Sequence, residues 1–564
     1  MKDPADLLEE AIENERYVLR GYEKPSEALT FETLRALDFA FCRELIPELG
    51  DLDESARQME SIRKKSINAA LKRVLPSELK VDKPRLFASN ARTAEQADEF
   101  LLRMGCLTVA EQQLTLLRSG ALKGEIGKRS LGKMKVFVLS IRDRTAYREQ
   151  IGFQGLNWLS DTTTAEDRPK EAALERRHME ILPRLTDYLR SNPSPEELPF
   201  DDVDAYFKEW AVLYLRRMSF RDMLAEDDHF GGRPYSSYVT VLEALSAMSQ
   251  QRLCYAALWN ADDRSVGIRN LMTGGALHED LVEGVANFLD ASRHEVSELL
   301  DHLTLGPANA GNHLDRGTPA LAPVIRTSQH LVALPMYGLE LNPFVFLWTE
   351  LRRRYEKDWF DAANRREGRW VSELRARFPA PRWHCLHGVK LKQDGKTLTD
   401  IDFVAYDTDC NSVILFQLKW QQPIMSDDKV RRNNAGSLIA DSNKWIADVA
   451  GWTESIGIHG VKERLSIKTN ADLSIHLVVL GRYHAHFTSA QDQDPRAVWC
   501  DWGNFLRLRT THSYESASEF IDSLERTMER TKVGVKPESF FFPLGDDAMI
   551  LVNPARVIPR DALV

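Results

Sequence analysis

The chain has 564 residues, 43% hydrophobic and 28% charged, with a net charge of −10. That length predicts several domains, with cores large enough to need neither disulfides nor a structural metal. The composition excludes a disordered or collagenous chain, and the acidic balance excludes a wholly basic nucleic-acid coat protein. Six cysteines stand at 42, 106, 254, 385, 410 and 500. None forms a C-x-x-C pair, so no zinc ribbon or disulfide scaffold is expected and the thiols are read as reduced. The opening Met1-Lys2-Asp3-Pro4 starts no apolar signal segment. The most apolar long stretch, Leu331 to Trp348, is interrupted by Pro335, Glu340, Asn342 and Pro343. It falls short of the ~18 apolar residues of a membrane span. A soluble, cytoplasmic protein with no membrane partner is expected.

The first two-thirds carry helical periodicity. Asp3-Pro4 supplies an N-cap and a first-turn proline, and Leu7, Leu8, Ala11, Ile12, Val18 and Leu19 follow on one face. Further helices are expected over Thr30–Leu49, Leu52–Leu75, Ala94–Leu117 and Pro169–Leu189, and again over Leu281–Leu289. One strand-like run, Met134–Ile141, interrupts them. Turn-rich Gly306–Pro319 marks the strongest punctuation. These patterns predict a mostly helical region over 1–310, serving recognition, regulation or oligomerisation, and a linker over 311–345.

Beyond 345 the texture changes. A long basic helix is expected over Leu347–Phe378, with Gly368 its weak point. Strand-like runs follow at His384–Leu391, Thr399–Asp407 and Val413–Trp420, then a helix at Ser437–Trp452 and a strand at Leu473–Gly481. This α-β-β-β-α-β order predicts a unit over 346–490. The tail, 491–564, adds a helix (Ala517–Glu529) and a strand (Ala548–Val552) and is expected to pack on that unit. The expected class is α+β and multidomain.

Several motifs fail on mechanism. Gly127-Lys-Arg-Ser-Leu-Gly132-Lys133 has phosphate-loop spacing, but Met134 replaces the magnesium-binding hydroxyl and a strand follows where a helix is needed. His384, His387, His484 and His486 resemble metal ligands, yet no nearby Cys or carboxylate completes a set of four, so structural histidines are expected. His294-Glu-Val-Ser-Glu298 lacks the second His of a zinc helix, and no G-x-S-x-G occurs.

One constellation carries chemistry. The runs Thr399–Asp407 and Val413–Trp420 flank Thr408-Asp409-Cys410-Asn411-Ser412, a turn-forming cluster. Pairing them as a hairpin with Asp407 opposite Ser412 sets Asp402 opposite Gln417, with side chains within ~5.5 Å on one face. Period two adds Asp400 and Lys419 to that face and gives Ile401, Phe403, Phe416 and Leu418 to the other. Asp402 and the Gln417 carbonyl are oxygen ligands suited to a hard divalent cation, and Lys419 can orient water or meet developing phosphorane charge. A solvated hairpin face gives the same pattern without chemistry.

Asp followed by Gln-x-Lys on the next strand, within an α-β-β-β-α-β order, resembles the PD-(D/E)XK nuclease superfamily. The Gln-x-Lys form is similar to Mrr-type restriction enzymes. The resemblance covers about residues 345–485 and implies a restriction-endonuclease-like core. It implies metal binding by Asp402 and Gln417, with Mg²⁺ or Mn²⁺ as cofactor, and catalysis by Lys419. A Glu shortly after a Gly in the preceding helix is matched by Gly368-Arg-Trp-Val-Ser-Glu373, which makes Glu373 a further ligand or else a surface residue. Gln417 departs from the commoner Glu, so metal affinity would lean on Asp402, Glu373 and Asp400.

Charge points the same way locally. From Arg352 to Lys392 there are 12 Lys/Arg and 5 Asp/Glu, a net +7. Arg365, Arg366 and Arg369, with Arg431 and Arg432 beyond the Gln-x-Lys strand, are the expected phosphate contacts, and Lys444 is an extra candidate. A solvated helix balanced by acidic neighbours is the bland alternative. The expected function is a metal-dependent endonuclease acting on DNA, with prokaryotic anti-phage defence as the setting by analogy alone. An RNA-directed nuclease and a catalytically silent nucleic-acid-binding scaffold are the rivals. A second copy of the chain or a defence-system protein is a further expected partner.

Overall fold

Apolar faces of five helices, Pro4–Arg20, Glu27–Cys42, Glu54–Lys65, Ile67–Val74 and Ala91–Arg118, meet in one buried core. The computed structural model that shows this describes residues 2–20, 27–46, 51–79, 89–120, 122–127, 134–141, 146–191, 201–218, 220–261, 267–420, 428–485, 492–531 and 539–553. The single helix expected over Leu52–Leu75 is two, divided at Ser66. That side chain is buried and its hydroxyl donates to Arg63 O at 2.7 Å, a local bond that competes with the helix ladder. The phosphate-loop spacing at 127–133 lies, from Lys128 on, outside the described residues, as does His486.

The tail divides between two parts of the molecule. Leu122–Ile126 pairs with Lys135–Ile141, Ala548–Val552 runs parallel to the latter, and Phe540–Leu544 is outermost. Phe542, Leu544, Ile550 and Val552, alternating along that hairpin, enter the N-terminal helical core. The expectation that all of 491–564 packs on the preceding unit is therefore corrected for its last two strands.

The linker expected over 311–345 is core. Val324–Arg326 and Leu331–Leu334 lie in a sheet of order Gly274–Leu277, Leu331–Leu334, Val324–Arg326, Thr304–Leu305. Ala322, Val324, Ile325, Val332 and Ala333 have no exposed surface, so the turn-rich Gly306–Pro319 is a bend within a packed region. The long basic helix is likewise corrected to two, Pro343–Arg354 and Glu356–Ala376, separated at Tyr355 and not at Gly368. Tyr355 stacks on His302, with ring centroids 5.6 Å apart and its hydroxyl 3.1 Å from Nε2. That anchoring outweighs the ~1 kcal/mol helix penalty of an exposed glycine.

The unit that follows is numbered from its first helix: α1 (Glu356–Ala376), β1 (Trp383–Gln393), β2 (Lys396–Asp407), β3 (Ser412–Lys419), α2 (Asp428–Arg464), β4 (Ser474–Gly481), β5 (Ala497–Asp501), α3 (Trp502–Thr511) and α4 (Ala517–Thr531). The strands form one sheet of order β5-β4-β3-β2-β1, in which β2 alone runs against the others. β4 carries Leu477–Leu480 as a continuous apolar run, as a strand covered on both faces must. On one face Trp370 and Leu374 of α1, with Phe378 just past its end, meet Phe403, Ala405, Ile414 and Phe416, joined by Phe505 and Phe520 of α3 and α4. On the other, Ile439, Trp445, Ile446 and Val449 of α2 cover Val404, Val413, Leu415 and Val479. Burial of each of these aromatic or aliphatic side chains stabilises by roughly 1.5–3 kcal/mol. β5 and α3 escaped the sequence reading; Asp501 caps α3 by accepting from Asn504 N at 2.9 Å. The chain as a whole is α+β, and among the described residues no helix is long and apolar enough to cross a membrane.

Candidate functional site at the carboxyl ends of the parallel strands

The hairpin register is the one expected from its turn. Asp407 pairs with Ser412, and the ladder runs in step to Phe403 opposite Phe416. Asn411 takes a left-handed conformation in the turn (φ 52°). At the next position the backbone pairing gives way to side chains. Asp402 Oδ2 accepts from the Leu418 N–H at 2.6 Å and from Gln417 Nε2 at 2.5 Å. A carboxylate thus stands in the ladder where a carbonyl would. On the other flank, the pairs Ile401–Val389 and Phe403–His387 bracket Gly388, whose left-handed φ of +61° favours a residue without Cβ.

This irregularity changes which faces the neighbours occupy. Phe403, Phe416 and the partly buried Leu418 join the α1-side core as expected, but Ile401 joins the α2-side core with Val404 and Tyr406. The strict alternation drawn from the sequence fails at Asp402 because the pleat breaks there. Asp400 is exposed and paired across to Lys390 on β1, and it reaches Asp402 through its charge.

Burial pushes the Asp402 carboxyl up to about 6; the Leu418 N–H opposes this, Asp400 adds to it, and the Gln417 amide and Lys419 ammonium oppose it. Gln417 is buried and Lys419 half-buried. The Lys419 carbonyl accepts from Arg482 N at 2.9 Å, continuing the parallel β3–β4 pairing one step past Lys419–Gly481. A Cβ on Gly481 would lie 2.0 Å from His484 O, so glycine is needed where the chain turns out of β4. Asp402, Gln417, Lys419 and Arg482 therefore gather near the carboxyl ends of β3 and β4, the end of a parallel sheet where ligands commonly bind.

Arg482 was missed by sequence reasoning. It is 4% exposed. Nη1 donates to Glu373 Oε2 at 2.6 Å, and Nε donates to Asp222 Oδ2 at 2.7 Å. Its guanidinium lies 4.7 Å from the Trp420 ring, 5.2 Å from Trp502 and 5.6 Å from Trp370. Burial works against its charge, but Asp222 and Glu373 outweigh that and hold the guanidinium above its usual range. Tyr483 donates its hydroxyl to Asp222 Oδ1 at 2.9 Å, fastening the same turn to the helical region. The aromatic residues were visible in the sequence, but nothing local could join residue 222 to residue 482.

Glu373 is thus engaged with Arg482, and among the described residues no three His, Cys, Asp or Glu side chains gather in one group. The donors fit a hard divalent cation in part. Asp402 and the Gln417 carbonyl offer two oxygens, while Glu373 is held by Arg482.

The expected basic stripe is mostly engaged within the fold. Arg365 and Arg369 both donate to Asp228, a buried carboxylate, at 2.9 and 3.3 Å. Arg366 is buried, with Nη1 3.1 Å from Met223 Sδ and its guanidinium 4.8 Å from the Trp420 ring; burial lowers its pKa. The position corrects its assignment as a surface phosphate contact: the helix face holding Trp359 and Trp370 turns inward. Lys444 is exposed on α2. Arg431 and Arg432 fall on the first turns of α2, and their side chains lie outside the described ones. His484 is buried, and His387 meets Arg375 at 2.9 Å.

Compared with known proteins, the chain matches no family model, no curated protein and no solved structure.

Proposed function

We propose that the chain is a divalent-metal-dependent nuclease acting on DNA, with its site at Asp402, Gln417 and Lys419 in a restriction-endonuclease-like core. The observation that carries the reading is the Asp402–Gln417 pair across adjacent strands, with Lys419 two residues on, at the carboxyl end of the parallel strands. The α-β-β-β-α-β order supports it. Asp402 and Gln417 would hold Mg²⁺ or Mn²⁺, with Glu373 joining on release from Arg482. When bound, the cation supplies Lewis-acid polarisation of the phosphate and a more acidic water. Lys419 meets negative charge as it develops on the phosphate, and Leu418 N–H fixes the Asp402 carboxylate. Six free cysteines suit a reducing, cytoplasmic setting, and anti-phage defence is the proposed context by analogy.

The test is cleavage of supercoiled DNA by the purified full chain with Mg²⁺ or Mn²⁺, stopped by EDTA and absent in Asp402→Ala. Cleavage that persists in EDTA removes the reading.

One observation favours a second reading, a nucleic-acid-binding scaffold without catalysis: Glu373 is paired with Arg482. A wild type that binds DNA and cuts neither DNA nor RNA with any divalent metal establishes it.

A further inference from the structure

β1 is an edge strand of the sheet, and along it lies a set of cations that the site above does not use. An open groove of about 700 Å³ is bordered by Arg375, His387, Lys390, Lys392 and Arg464, and no Asp or Glu lines it. All five side chains are exposed. Asp400, across from Lys390 on β2, is the opposing charge in the neighbouring strand.

The groove is organised. Arg375 Nη2 lies 2.9 Å from His387 Nδ1, which ties the imidazole on the strand to the helix beside it. Arg464, from the end of α2, donates through Nη2 to the Lys390 carbonyl and so rests on the strand edge. Lys390 and Lys392 alternate onto one face about 7 Å apart, close to the step between successive phosphates of a nucleic-acid strand. Between them and His387, Gly388 leaves bare backbone, with nothing within 4 Å of where a Cβ would stand. Gly388 lies between Val389 and His387, the partners of Ile401 and Phe403, so the strand lining the groove is the neighbour of the one that carries Asp402.

We infer that this groove binds the sugar–phosphate backbone of a nucleic acid and leads the strand toward Asp402. Where the strand leads rests on the nuclease reading; the binding itself does not. An edge strand can also recruit a peptide as an added strand, but four Lys and Arg side chains and no acid in the lining favour a polyanion.

The experiment measures binding of a labelled DNA duplex to the full chain by fluorescence anisotropy, in EDTA, across a range of salt. The double variant Lys390→Ala/Lys392→Ala should bind more weakly, with the log–log salt slope shallower by about two, one for each lost phosphate contact. Lys123→Ala, exposed on the N-terminal sheet, should match wild type. Unchanged affinity and slope in the double variant overturn the inference, as does retention of polyglutamate, but not duplex, at about 0.15 M salt. A wild type that binds through the groove and never cuts defeats the nuclease reading and leaves the groove standing. One that cuts, while the double variant binds with unaltered slope, overturns the groove alone.

Discussion

The side-chain amide of Gln417 donates to Asp402 Oδ2 at 2.5 Å, across the point where the β2–β3 ladder stops. The carboxylate is held there by the Leu418 N–H as well. Burial, with Asp400 adding to it, raises the Asp402 pKa from 3.8 to about 6. A carboxyl whose pKa rises on folding costs stability once ionised. That cost is absent below about pH 3.8, grows between there and about 6, and is full above 6. The shift corresponds to roughly 3 kcal/mol at most. In metal-free buffer, Asp402→Asn should therefore raise the unfolding midpoint at pH 8, with the gain shrinking toward pH 4. A gain independent of pH contradicts the assigned shift.

Replacing Gln417 by Glu puts a second carboxylate against Asp402 and removes the amide donor. Without metal, Gln417→Glu should be less stable than wild type at pH 8. Mg²⁺ or Mn²⁺ should relieve the repulsion, so calorimetry should show metal affinity equal to or above wild type. Gln417→Ala should bind metal more weakly. Equal affinity in wild type and Gln417→Ala places the ligand elsewhere.

Arg482 gives a test of asymmetry. Arg482→Met leaves Glu373 and Asp222 with side chains 43% and 38% exposed, so water takes over part of their solvation. The cost should be about 2 kcal/mol, below the usual 3–5 for breaking a fully buried pair. The double variant Glu373→Gln/Asp222→Asn instead strands a buried guanidinium and should cost the full 3–5 kcal/mol. Urea titrations of the full chain that rank the two the other way contradict this account of the pairing.

Arg365 and Arg369 are fastened to Asp228, so their first role is structural. Arg365→Ala/Arg369→Ala should lower the unfolding midpoint, because Asp228 stays buried without its cationic partners, with the Ala225 N–H still donating to its Oδ2. Its DNA-binding salt slope should remain that of wild type. A slope shallower by about two would return both residues to the phosphate contacts.

What the sequence revealed and what it hid divide along a physical line. Hairpin register follows from a short turn and a period of two, so Asp402 opposite Gln417 could be read directly. Strands rich in β-branched and aromatic residues, such as Val413–Phe416, were legible for the same reason. The break at Asp402 was not, because there a carboxylate takes the Leu418 N–H in place of a backbone carbonyl, which no periodicity encodes. The helix end at Tyr355 depends on His302, and the Glu373 pairing depends on Arg482, contacts set by tertiary structure alone. Charge counting along 352–392 found a basic segment but could not divide it. Arg366 turns inward on the helix, whereas Lys390 and Lys392 face solvent on an edge strand.

The most direct test of the central claim compares binding and cleavage in Lys419→Met, which keeps the aliphatic length and deletes the ammonium. Lys419 is half-buried beside the Asp402–Gln417 pair, and its charge acts on Asp402. Duplex DNA retention by Lys419→Met in EDTA or Ca²⁺ should be near wild type, while Mg²⁺-dependent cleavage falls by ~10²-fold or more, the usual loss for one group that stabilises developing charge. Normal cleavage by Lys419→Met would contradict the account.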